Sequence, residues 1–105
     1  MKTIIIFDRA GAFAENKDVA GDIRVNEITP ALEAGEDVTL DFAGVDAATQ
    51  SFIHALISDI LRKRGAKALD DIVFKSCNIT VKKIIEIVVE YMLEGMGIET
   101  GAGGE

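Results

Sequence analysis

Short apolar runs alternate with longer amphipathic segments along this chain. The runs are rich in β-branched and aromatic residues, which predicts buried strands at residues 2–7, 37–42 and 71–75. In the longer segments apolar residues recur every three or four positions, which predicts helices over about 16–34, 49–64 and 78–94. A further short strand is expected at 12–14, after the polar break that ends the first run.

Polar residues and one proline refine the helix boundaries. Asn16 is a candidate N-cap for the first helix, and either Asn78 or Thr80 for the third. Pro30 lies inside the first helix, lacks a backbone N–H and restricts the residue before it. We therefore expect a kink or a break near residues 28–29.

The alternation of strands and helices predicts the fold class. Parallel strands need long crossover connections, usually helices, so this order indicates an α/β domain with a mainly parallel sheet. We expect about four strands, with helices packed on the faces of the sheet. A chain of 105 residues suits one core. A single domain is predicted over 1–100, and the glycine-rich end at 101–105 is predicted to be a flexible tail.

Composition and charge narrow the classes of function. Eighteen acidic against eleven basic residues give a net charge of −7, which argues against a nucleic-acid partner, since such proteins neutralise phosphates with Lys and Arg. No apolar stretch approaches the roughly 20 residues of a membrane-spanning helix, so no membrane association is expected. The single cysteine, Cys77, cannot form an internal disulfide and suits a reducing compartment, which predicts a cytoplasmic location.

Candidate catalytic groups are few. Ser51 and His54 share one face of the second helix, three residues apart, but no G-x-S-x-G elbow accompanies them. Cys77 is interpreted as a small buried residue rather than a reactive thiol. Neither a phosphate-binding glycine loop nor a cluster of His, Cys and acidic ligands occurs in the sequence. The sequence therefore predicts no enzymatic activity, no cofactor and no metal ion.

The connection from the second strand to the second helix carries small hydroxyl side chains. Thr49 and Ser51 stand at the predicted helix N-terminus, whose unpaired N–H groups and partial positive charge would stabilise a phosphate on Ser51. A second interpretation is that Thr49 is only an N-cap and Ser51 an ordinary residue of the first turn. A third is that the helix N-terminus after Val45 binds a small ligand or a nucleotide without covalent modification. The residues alone leave all three open.

A family resemblance bears on this choice. The segment from Leu40 to Phe52 resembles the STAS domain of bacterial anti-sigma factor antagonists, in which Leu-Asp and Gly-Val precede Asp-Ser-Ser-Gly at a helix start. It is more similar still to the STAS-like domain of unknown function, whose pattern is Leu-Asp-Phe-x-Gly-Val and then Ser-Phe. The residues that match in place are Leu40, Asp41, Phe42, Gly44, Val45, Ser51 and Phe52. The upstream residues Lys17, Gly21 and Arg24 are also similar to that family's helix.

The resemblance implies a non-catalytic regulatory module that binds another protein and releases it on phosphorylation. In the antagonists the second serine of the motif is phosphorylated by a kinase-like ATPase, and Ser51 falls on that position. Thr49, Gln50 and Phe52 replace the Asp, the first Ser and the Gly of that motif. The resemblance thus makes Ser51 the candidate phosphoacceptor and a histidine-kinase-like ATPase the first candidate partner. Candidate partner contacts beside Ser51 are Asp46, Thr49, Gln50 and His54.

The third helix is apolar over a wide arc. A helix that covers a sheet needs an apolar arc of about 100° or slightly more. Here the polar residues form only a narrow stripe: Lys82, Lys83, Glu86, Glu90 and Glu94. Since monomers seldom leave a large apolar patch in water, we expect a homodimer, or an obligate protein partner, that contacts Ile87, Tyr91 or both.

Overall fold

The computed structural model describes residues 1–95. The elements in chain order are β1 (Lys2–Ile5), α1 (Ile6–Ala10), β2 (Phe13–Ala14), α2 (Lys17–Ile23), α3 (Thr29–Glu33), β3 (Val38–Asp41), β4 (Ala47–Ala48), α4 (Gln50–Arg64), α5 (Ala68–Asp71), β5 (Ile72–Lys75) and α6 (Ile79–Gly95). A π-helical turn joins α2 to α3, and a 3-10 turn joins α4 to α5. The tail predicted at 101–105 lies outside the described residues.

β3 is the central strand of the main sheet. It pairs in parallel with β1 on one side and with β5 on the other, so that Leu40 lies between Ile4 and Phe74. β2 and β4 form a separate parallel pair, with Phe13 opposite Ala47. The predicted α/β fold, with a parallel sheet and helices packed against it, is confirmed. Within the described residues the main sheet has three strands rather than about four, because β2 pairs with β4 instead of joining it.

The described helices lie mainly over one face of the main sheet. α4 lies between α2 and α6 and contacts both. Strand side chains on the helix side are buried: Ile4, Val38, Leu40 and Ile72. Side chains on the opposite side of the two outer strands are exposed: Thr3, Ile5, Val73 and Lys75. The opposite face of the sheet is therefore largely open in the described residues, which is uncommon for a parallel sheet.

The first strand is shorter than the sequence predicts. β1 ends at Ile5, whose partner Asp41 is also the last residue of β3. The apolar run then continues as the short helix α1, in which Ile6 is fully buried and Phe7 is 44% exposed. The prediction of strand at residues 6–7 was wrong because a continuous apolar run has no periodicity that separates a strand from a buried helical turn.

The interruption predicted at Pro30 is a π-helical turn. The Thr29 N–H donates to the Arg24 carbonyl, five residues back, so the helix widens immediately before Pro30. Proline cannot donate the usual bond to the residue four positions earlier, and a wider turn accommodates that loss without ending the helix. The helical path consequently continues without a gap from α2 through this turn into α3.

One apolar core holds the start of α4 in place. Phe42, just after β3, and Phe52, in the first turn of α4, are both fully buried. Burying a side chain of this size contributes roughly 1.5–3 kcal/mol to the free energy of unfolding. These two phenylalanines therefore fix where the strand ends and where α4 begins, which sets the position of the exposed residues between them.

Candidate functional site

A surface groove of about 440 Å³ lies between the N-terminal half of α4 and the C-terminal half of α6. We call it the α4–α6 groove. Its lining residues are Lys17, Gln50, Ser51, His54, Ala55, Ile87, Val88 and Tyr91. The structure thus brings together five residues that the sequence singled out at two places about 40 positions apart: Gln50, Ser51, His54, Ile87 and Tyr91. Asp46 and Thr49 do not line it.

The α4 wall begins with a capped helix terminus. The Thr49 hydroxyl accepts a hydrogen bond from the Phe52 N–H at 3.1 Å, which confirms that Thr49 is an N-cap. Ser51, at the second position of α4, is exposed and faces the groove. Its side chain makes no hydrogen bond to residues 1–95. Its hydroxyl is therefore accessible to another protein, beside the positive end of a helix of 15 residues.

The α6 wall shows the surplus of apolar surface predicted from the sequence. Its buried stripe is formed by Val81, Ile85, Val88 and Met92. Ile87 and Tyr91 lie on the flank of this stripe and are 43% and 69% exposed. α4 covers one side of that flank, and within the described residues nothing covers the other. An apolar wall thus faces the hydroxyl and amide side chains of Ser51 and Gln50.

Most of the segment that carries the resemblance has a structural role. The Asp41 carboxylate accepts a hydrogen bond from the Ala43 N–H at 2.9 Å and closes the turn after β3. Gly44 has φ +87°, and a Cβ there would stand 3.1 Å from the Phe7 ring. The remaining apolar members are buried: Leu40, Phe42, Val45 and Phe52. Of the seven matching residues, only Ser51 is left free to contact a partner.

Asn78 joins the start of α6 to the connection between β3 and α4. Its side-chain oxygen accepts from the Val81 N–H at 2.8 Å, so Asn78 and not Thr80 is the N-cap. Its amide nitrogen donates to the Asp46 carbonyl at 2.9 Å and contacts the Val45 carbonyl at 3.4 Å. One side chain therefore joins the start of α6 to the connection that precedes α4. Asp46 contributes through its backbone, and its carboxylate is exposed on the surface beside the groove.

Lys17 and Arg24, two of the three upstream residues of the resemblance, both lie near α4. Lys17, the first residue of α2, lines the α4–α6 groove and brings a positive charge to it. The Arg24 guanidinium donates to the Ala55 carbonyl at 2.8 Å and fixes the end of α2 against α4. Gly21 meets nothing within 4 Å of an added Cβ, so nothing in the structure explains a glycine at that position.

Cys77 has the environment of an unreactive thiol. Burial raises the pKa of the Cys77 thiol; the nearby Lys82 ammonium lowers it by a smaller amount, and the Asp41 carboxylate raises it further. The thiolate is the nucleophilic form, so the balance disfavours reaction near neutral pH. The position of Cys77 before a helix does not reverse this balance, which agrees with the interpretation of Cys77 as a small packing residue.

Ser51 and His54 do not form an oriented nucleophile and base. Both line the groove, but within residues 1–95 no hydrogen bond joins them or fixes the imidazole ring. A serine nucleophile and its base are recognised by such a bond and by a third group that orients the base. The described residues also contain no group of three or more His, Cys, Asp and Glu side chains placed to hold a metal ion. None of the helices formed by these residues is long and apolar enough to span a bilayer.

A comparison with protein families identifies the fold family. The model of the STAS-like domain of unknown function (DUF4325) matches residues 23–82, more than half of the chain. The chain belongs to this family. The STAS-like match begins at the end of α2 and ends in the first turn of α6, so it includes Ser51 and Asn78 but neither Ile87 nor Tyr91. Searches of curated proteins and of solved structures found no significant match.

Sequence reasoning found most of the residues that line the α4–α6 groove, but it did not predict their arrangement. It placed Ser51, Gln50 and His54 on one helix and Ile87 and Tyr91 on another, without a reason to join them. The second role of Asn78 was missed, because only its capping position has a local signal. Its bond to Asp46 spans 32 residues of sequence, and no periodicity reports such a contact.

Proposed function

We propose that this STAS-like domain is a non-catalytic regulatory module that binds a protein partner at the α4–α6 groove, with Ser51 as a phosphorylated switch. The observation that carries the proposal is the convergence of an exposed serine and an uncovered apolar wall in one groove. Protein interfaces combine an apolar centre with a polar rim, and Tyr is enriched in them. Tyr91 and Ile87 provide the apolar part, and Gln50, Ser51 and His54 the polar part.

Phosphorylation at this position would change binding strongly. The Ser51 hydroxyl oxygen would attack the γ-phosphorus of ATP as the bond to the β-phosphate breaks, releasing ADP, and the hydroxyl proton would pass to a base of the kinase. The product carries roughly −1.5 to −2 charges. Lys17 and the helix N-terminus would stabilise the phosphate locally, but a partner packed on Ile87 and Tyr91 would have to bury it. Binding would therefore weaken on phosphorylation.

A histidine-kinase-like ATPase is the first candidate partner, on the strength of the family resemblance at Ser51. Such a protein would bind the ATP used for the modification, and its surface would pack against the groove. The proposal places Gln50, His54, Ile87 and Tyr91 in contact with it, and Asp46 and Thr49 at the margin. Thr49 acts mainly as the N-cap that holds the serine in place.

The test uses the purified domain and a histidine-kinase-like ATPase from the same cells. Intact-mass spectrometry after incubation with ATP should show one added phosphoryl group on the wild type and none on Ser51→Ala. Calorimetry should give similar affinities for the wild type and Ser51→Ala, and an affinity lower by roughly tenfold or more for Ser51→Asp. Thr80→Ala removes an exposed hydroxyl outside the groove and is the matched control. Equal binding of Ser51→Asp and Ser51→Ala to a demonstrated partner would refute the switch.

The size of the groove favours a second candidate function, the binding of a small molecule or a nucleotide. Small-ligand pockets usually measure about 300–1,000 Å³, and the α4–α6 groove falls within that range. A nucleotide screen by thermal unfolding distinguishes the two functions, because a specific ligand raises the melting temperature by mass action. A concentration-dependent rise that is lost in Lys17→Gln and Ser51→Ala would support ligand binding over protein binding.

A further inference from the structure

We propose that two copies of this chain pair through α6, with the two helices antiparallel and with Ile84, Ile87 and Tyr91 at the centre of the contact. The proposal goes beyond the partner switch and does not depend on the modification of Ser51. Because both contacts use Ile87 and Tyr91, the dimer and a complex with a partner at the α4–α6 groove exclude each other. It rests on the geometry of α6, on the exposure of its apolar flank and on the order of charges along that flank.

The three apolar residues lie on one side of α6. They are spaced three and then four residues apart, which places them in a line along one flank of a helix with 3.6 residues per turn. The stripe that enters the core is the neighbouring one, formed by Val81, Ile85, Val88 and Met92. Ile84 is half-buried against the core, whereas Ile87 is 43% and Tyr91 69% exposed. The line is therefore available to a second helix.

A row of charges follows the outer edge of this apolar line. Lys83 lies in the N-terminal half of α6, and Glu90 and Glu94 lie in the C-terminal half. All three side chains are exposed, and within residues 1–95 none of them takes part in an ion pair. Glu90 and Glu94 are four residues apart and repel each other on the helix surface. A cation placed between them would relieve that repulsion.

The order of these charges favours a second copy of α6 as the partner helix, and it favours an antiparallel direction. When two α6 helices cross antiparallel about Ile87, Lys83 of one copy lies beside Glu90 of the other, and the two-fold axis repeats the pair. A parallel arrangement would instead place lysine against lysine and glutamate against glutamate, which destabilises the contact. A two-fold interface requires a self-complementary surface. The apolar line and the charge row of α6 together satisfy that requirement.

Sedimentation of the full chain tests the proposal. The mean mass of the wild type should rise with concentration from the 11.3 kDa of one chain toward twice that value. Ile87→Glu should raise the dimer dissociation constant by roughly tenfold or more, because it buries a charge at the centre of the contact. Val73→Glu is the matched control, since Val73 is similarly exposed, at 50%, but lies on the open sheet face. It should leave the dissociation constant unchanged.

Charge variants test the antiparallel arrangement even if Ile87→Glu disturbs folding. Lys83→Glu should raise the dissociation constant by about two- to fivefold for each of the two symmetric pairs. Lys83→Glu combined with Glu90→Lys should restore it. Lys82→Glu changes the net charge by the same amount, but on the opposite side of α6, and should have little effect. Circular dichroism verifies that each variant is folded.

Three outcomes would overturn the proposal. One is a wild type that stays monomeric up to its solubility limit. Another is a Lys82→Glu variant that weakens association as much as Lys83→Glu does, since general charge repulsion would then explain both. The third is a double charge exchange that fails to restore the dimer.

Discussion

The connection from β3 to α4 and the connection from β5 to α6 differ in what holds them together. From β3 to α4 the chain passes through Gly44, the short strand β4 and the N-cap Thr49, and the side chains of Asp41 and Thr49 make local hydrogen bonds there. From β5 to α6 the connection is only Ser76, Cys77 and Asn78. There one side chain both caps its own helix and bonds to the other connection. The first connection leads directly to Ser51, in the first turn of α4. The second ties the start of α6 to the first connection.

Each connection also contains one residue with a left-handed backbone conformation. The two positions differ in whether they accept a residue other than glycine. Gly44 has φ +87° with the Phe7 ring close by, whereas Ser76 has φ +60°. A φ near +60° is the centre of the small left-handed region, which costs a residue other than glycine about 1–2 kcal/mol. The comparison therefore indicates that the β3–α4 connection depends on Gly44 for two reasons. Glycine adopts the left-handed backbone conformation without strain, and it leaves room for the Phe7 ring. The β5–α6 connection accepts an ordinary residue.

The largest effect is expected from Gly44→Ala. The new Cβ would be strained at φ +87° and would stand 3.1 Å from a Phe7 ring carbon, so the free energy of unfolding should fall by about 2–3 kcal/mol. Urea unfolding monitored by circular dichroism measures it. Ser76→Gly is the counterpart and should change stability by less than about 1 kcal/mol, since relief of strain offsets the entropy of glycine. Equal stability of Gly44→Ala and the wild type would contradict the comparison.

A smaller and more diagnostic effect is expected at the two N-caps. Thr49→Ala removes one cap and should cost about 1 kcal/mol. Asn78→Ala removes a cap and also leaves the Asp46 carbonyl without its donor, so it should cost about 2 kcal/mol. Asn78→Ser keeps a capping oxygen but loses the amide. It therefore isolates the contribution of the hydrogen bond to the Asp46 carbonyl, which should be about 1 kcal/mol.

The same Asn78 variants report on the groove itself. His54 and Tyr91 are the only residues of their types in the chain, and both line the groove, so their ring resonances can be followed without labels. We expect both to shift in Asn78→Ser and to stay in place in Thr80→Ala. If Asn78→Ser is as stable as the wild type and leaves both resonances unmoved, Asn78 acts only as a cap.

The smallest expected effect concerns the thiol in the second connection. Because burial raises the pKa of Cys77, its alkylation by iodoacetamide should reach half of its maximal rate at a pH above that of a free thiol. Lys82→Gln removes a charge that lowers this pKa and should move the midpoint upward. Asp41→Asn removes one that raises it and should move the midpoint downward. A midpoint at or below the free-thiol value would show that the helix N-terminus outweighs burial.

The sequence predicted local features well. The N-caps Asn16 and Thr49 were confirmed because capping depends on residues only two or three positions apart. The interruption before Pro30 was also expected, although its form, a π-helical turn, was not. The apolar run at 2–7 was assigned to a strand throughout, and it divides into a strand and a helix where the neighbouring strand ends.

The candidate site was predictable in its parts. Ser51 follows from the family resemblance, and the wide apolar arc of α6 follows from spacing alone. The groove that joins them needed the fold, since Ser51 and Tyr91 lie 40 positions apart in the sequence. The homodimer or obligate partner expected at Ile87 and Tyr91 stays a prediction.

Local sequence patterns were enough to predict the main strands and helices, their polar and apolar faces and the N-caps Asn16 and Thr49, because these depend on neighbours within about one helical turn. Three features became visible only in the folded chain: the pairing of β2 with β4, the position of the described helices mainly over one face of the sheet, and the bond from Asn78 to Asp46. These features are set by contacts between residues distant in the chain. Such contacts are fixed by how the whole core closes, and no local periodicity records them.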